Sequence, residues 1–125
     1  MVKASEFFMK KQNETLRQKR VASLIKEEIS QIILHSVERE ASGLVSVTHV
    51  YVSKDLKIAD IHLSFYQPQL DTHAFIHQLN RQAFHFRRLL GSRIRLKYIP
   101  ALTFYLDSAP EEEEKLNRLL EKIKK

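Results

Sequence analysis

Arg17-Gln18-Lys19-Arg20-Val21-Ala22-Ser23-Leu24-Ile25-Lys26-Glu27-Glu28-Ile29-Ser30-Gln31-Ile32-Ile33-Leu34 is followed by a strand that ends in Val52-Ser53-Lys54-Asp55-Leu56. Val21, Leu24, Ile25, Ile29, Ile32, Ile33 and Val37 recur at three- and four-residue steps, the spacing that puts side chains on one stripe of a helix. The helix is read as running from about Leu16 to Glu38, with Ala41-Ser42-Gly43 as its stop and Gly43 as the natural left-handed residue. Arg17, Lys19 and Arg20 cluster at its start. Cations are unfavourable beside the positive end of a helix dipole, so such a cluster belongs on an exposed turn or against a docked anion.

Downstream, Leu44 to Ser53 is rich in β-branched residues and reads as a strand. Its alternation slips: Val45 and Val47 share one face, Val50 and Val52 the other. A bulge or burial on both faces accounts for that. Ser53-Lys54-Asp55 has turn chemistry, since Ser and Asp bond their own backbone in turns. From Ile58 to Tyr66 the alternation is clean. Ala59, Ile61, Leu63 and Phe65 point one way; Asp60, His62, Ser64 and Tyr66 point to a face read as wet. The two strands form an antiparallel hairpin. Pro68 closes the second, and Asp71 or Thr72 caps a helix carrying Phe75, Ile76, Leu79, Ala83, Phe86, Leu89 and Leu90 as far as Gly91. A third strand is expected from about Arg95 to Leu106, with Pro100 demanding an edge or a bulge. Ser108-Ala109-Pro110-Glu111 has the form of a helix start, and Leu116, Leu119, Leu120 and Ile123 make a short apolar stripe after it.

The chain has 125 residues, enough for one domain. Residues 1–15 read as a mobile N-terminal arm, 16–108 as the folded domain and 109–125 as a C-terminal helix. With 21 Lys and Arg against 15 Asp and Glu, the formal charge is +6, which favours a polyanionic partner over an acidic small substrate. There is no cysteine, which removes disulfides, thiolate metal sites and cysteine nucleophiles together. No run approaches the length of a membrane span, and the first residues have no signal-like core, so the expectation is a cytoplasmic monomer.

The helix, the Val-Ser-Lys-Asp-Leu segment and a series of later residues resemble the ribosome-binding factor A family. The later residues are Leu79-Asn80, Arg87, Leu90-Gly91, Leu96-Lys97, Pro100, Leu102, Phe104 and Asp107. The specificity of the match lies in the order and spacing of several weak pieces from about Arg17 to Asp107. The resemblance implies an α+β, type II KH-like domain of order α-β-β-α-α-β, its three-stranded sheet packed on helices, followed here by a C-terminal helix. It further implies a non-enzymatic assembly factor without cofactors. Such a factor binds free or immature 30S subunits and aids late maturation and processing of 16S ribosomal RNA.

KH domains grip a nucleic-acid backbone with a Gly-x-x-Gly loop. This chain has only Gly43 and Gly91, so that loop is absent. The family replaces it with an interrupted helix marked Ala-x-Gly. The corresponding position is Gln82-Ala83-Phe84, where Phe84 stands in place of the glycine. The expectation is a break near Ala83. Phe84 and Phe86, two apart, point in very different directions on a straight helix, whereas a break lets both rings be buried; the alternative for Phe84 is a ring that stacks on a base.

Independently of any family, residues 72–106 hold no acidic side chain. They hold Arg81, Arg87, Arg88, Arg93, Arg95 and Lys97, with His73, His77 and His85. Arg81, His85 and Arg88 lie three or four apart and would share one helix face. Cations without local counter-charge repel one another unless solvated or paired with phosphate. The plain alternative is a solvated face partly paired with Glu111 to Glu114. The candidate RNA contacts are therefore Arg17, Lys19, Arg20, Lys54, Arg81, Arg87, Arg88, Arg93, Arg95 and Lys97.

Weaker constellations read as structure. His73 and His77 have metal-ligand spacing but lack the further ligands a closed site needs, so no metal is expected. Asp55 and Asp60, near Lys54 and Lys57, read as turn and salt-bridge residues. There is no catalytic triad signature and no phosphate-cradling glycine loop. Two other functions stay open on residues alone: a generic single-stranded RNA or DNA module, and a protein adaptor whose basic face meets an acidic partner.

Overall fold

A computed structural model describes residues 13–36, 43–66, 68–107 and 109–123. The order is α1 (Leu16–Ser36), β1 (Leu44–Val52), β2 (Ile58–Tyr66), α2 (Thr72–Arg81), α3 (Ala83–Arg93), β3 (Ala101–Leu106) and α4 (Ala109–Ile123). This is the α-β-β-α-α-β order with a helix appended. Residues 1–12 of the expected arm, residues 37–42 at the expected end of α1 and Ser108 at the start of α4 lie outside the described residues.

α1 begins with a reciprocal cap. The Thr15 backbone N–H donates to Gln18 Oε1 at 2.8 Å, and the Gln18 N–H donates to Thr15 Oγ1 at 3.2 Å. This is a capping box, which satisfies two helix-end donors at once. Gln18 is buried, and its Nε2 donates to the Val52 carbonyl at 2.9 Å. One side chain thus caps α1 and ties its first turn to the far end of β1. Val21, Ile25, Ile29, Ile32 and Ile33 are buried as the stripe required, whereas Leu24 lies at its exposed margin.

The sheet has the order β1-β2-β3. β1 and β2 are antiparallel, with a register shift between Val47 and His49. Thr48 is the extra residue, and it resolves the slipped alternation. Val45 and Val47 pair with Phe65 and Leu63; beyond the bulge, Val50 and Val52 pair with Ile61 and Ala59. All four valines therefore face the core, because a one-residue insertion switches the parity of everything after it. The connecting turn is closed by side chains. Ser53 Oγ donates to Asp55 Oδ1 at 2.7 Å, and the Lys57 N–H donates to the same oxygen at 3.1 Å. These bonds hold the exposed Asp55 carboxyl below its usual pKa near 3.8, the serine contact first. Leu56 sits in the left-handed region at φ 62°, unusual for a branched residue, while its side chain packs on the core.

β3 runs parallel to β2, from Ile58↔Ala101 to Leu63↔Leu106. A parallel neighbour needs a crossover, which α2 and α3 supply. The third strand is shorter than the sequence suggested: 94–100 is a loop. Pro100 has no N–H to give the ladder, so pairing starts one residue later, where the Ala101 N–H donates to the Lys57 carbonyl at 2.8 Å. Asn80, near the end of α2, closes the outer edge of β3. Its Nδ2 donates to the Phe104 carbonyl at 2.9 Å, and its Oδ1 accepts from the Phe104 N–H at 2.7 Å. That amide acts as a one-residue strand on an edge that would otherwise be open.

α1, α2, α3 and the odd-numbered residues of β2 share one core, with Phe104, Ile25, Ile29, Ile61, Leu63 and Leu90 at its centre. The opposite face of β2 is not wet at its middle. Asp60 and His62 are only 9% and 8% exposed. β2 is the central strand, so its polar side chains are covered by neighbours on both sides: the His62 ring stacks on Tyr105, with centroids 5.2 Å apart. Burial, and then the Asp60 charge, push the Tyr105 hydroxyl pKa up. At the bulge, Thr48 Oγ1 donates to Asp107 Oδ2 at 2.7 Å, so the extra residue is anchored across the sheet. Along α4, Leu116, Leu119, Leu120 and Ile123 are exposed.

Candidate nucleic-acid interface

Asp71 starts α2, its Oδ1 accepting from the backbone N–H groups of His73 and Ala74. The helix stops at Arg81. Gln82 has φ −101° and ψ 12°, and its N–H is shared between the Gln78 and Leu79 carbonyls. α3 follows at once, with the Phe86 N–H bonded to the Gln82 carbonyl. The interruption thus occupies one residue, with the Gln82 N–H and carbonyl both bonded across it. No glycine is used, because a φ near −100° is open to any residue.

The break does not bury both rings. Phe86 is in the core, 5.5 Å from Phe104 between centroids, while Phe84 is 69% exposed. α3 is too narrow a cylinder to turn two residues 200° apart towards one core, and the stripe Phe86–Leu90 takes the interior. The expectation for Phe84 is corrected accordingly. A second correction concerns Arg81, His85 and Arg88. They are exposed, but Arg81 ends α2 whereas His85 and Arg88 lie on α3, so one continuous helix face does not hold all three.

All ten candidate cations are exposed. The tertiary structure groups them. Gln18 on Val52 places the first turn of α1, with Arg17, Lys19 and Arg20, beside the turn that carries Lys54. The same end of the sheet receives β3, since Ala101 bonds Lys57, and the loop bearing Arg95 and Lys97 leads into it. A second group lies where α3 meets that loop. Arg87, Arg88 and Lys97 surround an open cleft with Phe84, Tyr98 and Ile99.

Among the described residues, two of the ten make hydrogen bonds or ion pairs with other side chains or backbone. Arg93 Nη1 lies 3.5 Å from Glu28 Oε2 and 3.4 Å from Gln31 Oε1, tying the end of α3 to α1. Exposed pairs of this kind contribute only about 0–1 kcal/mol, so the guanidinium is available at little cost. Arg87 Nε donates to the Ile99 carbonyl at 3.0 Å and fixes the loop against α3. His73 and His77 are exposed, and among the described residues no three metal-ligating side chains converge. Sequence reasoning missed the Thr15–Gln18 cap, although Thr-x-x-Gln before an apolar run is a visible signal. It also missed the exposed Tyr98, for which no local pattern exists.

Comparison with known proteins adds four findings. The family model described as ribosome-binding factor A matches residues 17–120. Ribosome-binding factor A of Halothermothrix orenii is 35% identical over 108 residues, covering 86% of this chain and 88% of the relative. That of Moorella thermoacetica is 38% identical over 112 residues, covering 88% and 92%. The crystal structure of ribosome-binding factor A from Thermus thermophilus superposes with a TM-score of 0.62 at 18% identity, over 71% of this chain and 94% of that one. Such a likeness shows a common fold.

Proposed function

The chain belongs to the ribosome-binding factor A family, and on that basis we propose that it binds free or immature small ribosomal subunits. There it assists late maturation and processing of 16S ribosomal RNA, in the cytoplasm, and leaves before the mature ribosome forms. The observation that carries this reading is the family match over residues 17–120, which includes every cation of the candidate interface. The acid-free stretch 72–106 supports it physically, because phosphates relieve the repulsion among its cations and release counterions.

The mode of action is binding without a chemical step. Contacts from Arg and Lys to phosphates favour one arrangement of the RNA over another, and an arrangement bound more tightly becomes more populated. Arg17, Lys19, Arg20 and Lys54 at one end of the sheet, with Arg81, Arg87, Arg88, Arg95 and Lys97 around α3, are the proposed contacts; Arg93 joins them if it leaves Glu28.

Co-sedimentation of the purified chain with small subunits tests the reading, with excess unrelated RNA as competitor. The expected result is retention on the subunit. Loss to the unrelated RNA would point instead to a generic single-strand module. Retention of a partner after complete nuclease digestion would point to a protein adaptor. Crosslinking in cell extract, followed by sequencing of the attached RNA, then identifies the contacted region.

A further inference from the structure

Phosphate contact does not explain the two aromatic rings in the interface. Phe84 is 69% exposed and Tyr98 is 66% exposed, on different elements, yet both line the same cleft of about 320 Å³. Its size is at the small end of the range of about 300–1,000 Å³ for small-molecule sites. Large exposed rings are unfavourable in water, and two that converge on one recess call for an occupant.

The cleft is held in shape from below. Arg87 Nε on the Ile99 carbonyl pins the loop to α3. Gly91 lets that loop come close: a Cβ there would lie 3.3 Å from Ile99 Cγ1. With Ile99 fixed on both counts, the adjacent Tyr98 is presented beside α3 rather than free on a loop tip. Arg88 and Lys97 stand at the rim, Lys97 Nζ lying 5.6 Å from the Tyr98 ring centroid. Arg87 retains its terminal nitrogens beyond the pinned Nε. No carboxylate occurs in residues 72–106 to repel an anion.

We propose that this cleft receives one unpaired RNA base, stacked against Phe84 and Tyr98, while the phosphate next to it rests on Arg88 and Lys97. Flat rings flanked by cations match a nucleotide, which has a π face and a charge a few ångströms apart. A paired base has both faces covered by its neighbours in the stack, so the cleft selects single-stranded RNA over a duplex. The inference rests on the subunit-binding reading and deepens it: the cations supply sequence-independent attraction, and the cleft adds a requirement for an extruded or unpaired nucleotide.

The chain has no tryptophan, so Tyr98→Trp places a single reporter in the cleft. A ten-nucleotide oligoadenylate should quench its emission, whereas an abasic strand with the same phosphates should not. Phe84→Ala and Tyr98→Ala should each weaken binding of the oligoadenylate by about 5- to 150-fold, the range for loss of one base–aromatic stack. The log–log salt slope should stay unchanged, and Tyr98→Phe should bind normally. Both positions are exposed, and unaltered thermal unfolding verifies that the variants fold. Equal quenching by the abasic strand, or full affinity in both alanine variants, would overturn the proposal. So would a loss of subunit binding with no loss on protein-free RNA, which would identify a protein segment as the occupant. Co-sedimentation of the unsubstituted chain separates the two readings. Retention on subunits without a stacking signal removes the cleft alone; a stacking signal without retention removes the subunit reading alone.

Discussion

Asn80 shows how one side chain settles an edge. Its amide makes two bonds to the backbone of Phe104, the residue whose ring is at the centre of the core. Asn80→Ala leaves a part-buried N–H and C=O without those partners. Each such group costs about 1–3 kcal/mol, so the substitution is expected to destabilise by about 2–6 kcal/mol, read from the denaturant midpoint. A loss below about 0.5 kcal/mol would show that water replaces the amide without penalty. Asp55 makes a pH-dependent prediction. Its folded-state pKa lies below the usual 3.8 because Ser53 and the Lys57 N–H hydrogen-bond the carboxylate. A depressed carboxyl contributes stability that is present above the unfolded pKa and lost as pH falls through the folded value. Asp55→Ala should therefore lower Tm at pH 7, with the difference narrowing as pH is taken through 3.8 and below. A gap that persists unchanged in acid would assign the effect to the turn's conformation rather than to the charge.

Among the elements, α2 and α3 carry the functional argument. They form one apolar run in the sequence and two helices in space, divided at Gln82. The period alone could not show the division, because Phe75, Leu79, Ala83, Phe86 and Leu90 keep helical spacing through it. The break turns Arg81 and Arg88 into cations of two different helices, both in water. Arg81→Glu combined with Arg88→Glu should leave thermal unfolding unchanged and weaken subunit binding on the order of tenfold or more. It should also flatten the log–log salt slope by about 2, one for each phosphate contact removed. Unaltered co-sedimentation of the folded double variant would show that these two side chains are only solvated. β1 teaches the complementary lesson. Its slipped alternation was visible as four valines of two parities, and a bulge was one of two ways to satisfy it. The pairing with β2 chose the bulge, at Thr48.

For the molecule as a whole, the charge is the main lever. A net +6, with cations grouped at one end of the sheet and around α3, predicts affinity that falls steeply with salt. If about five phosphates are contacted, the slope of log K against log salt should be about −3.5 to −4.5. Titration of subunit binding across a salt series reads it directly, and a slope flatter than about −1 would remove phosphate contact as the main source of affinity.

The element order, the stripe of α1, a cap at Asp71 or Thr72 and the acid-free basic stretch were all legible in the linear chain. Each is local: period, cap chemistry and charge act over a few residues. The fold class was legible too, through a family pattern spread over weak pieces. Other features emerged only on folding. They are the start of β3 after Pro100, the burial of Asp60 and His62 in the central strand, the sharing of Arg93 with Glu28, and the exposure of Phe84 beside Tyr98. Each depends on which distant segment arrives beside the residue. Strand order sets the burial of a polar face, and a loop pinned by Arg87 and admitted by Gly91 sets the neighbour of an exposed ring. Those pairings are fixed by long-range packing and edge hydrogen bonds, whose partners carry no mark of one another in the order of the chain.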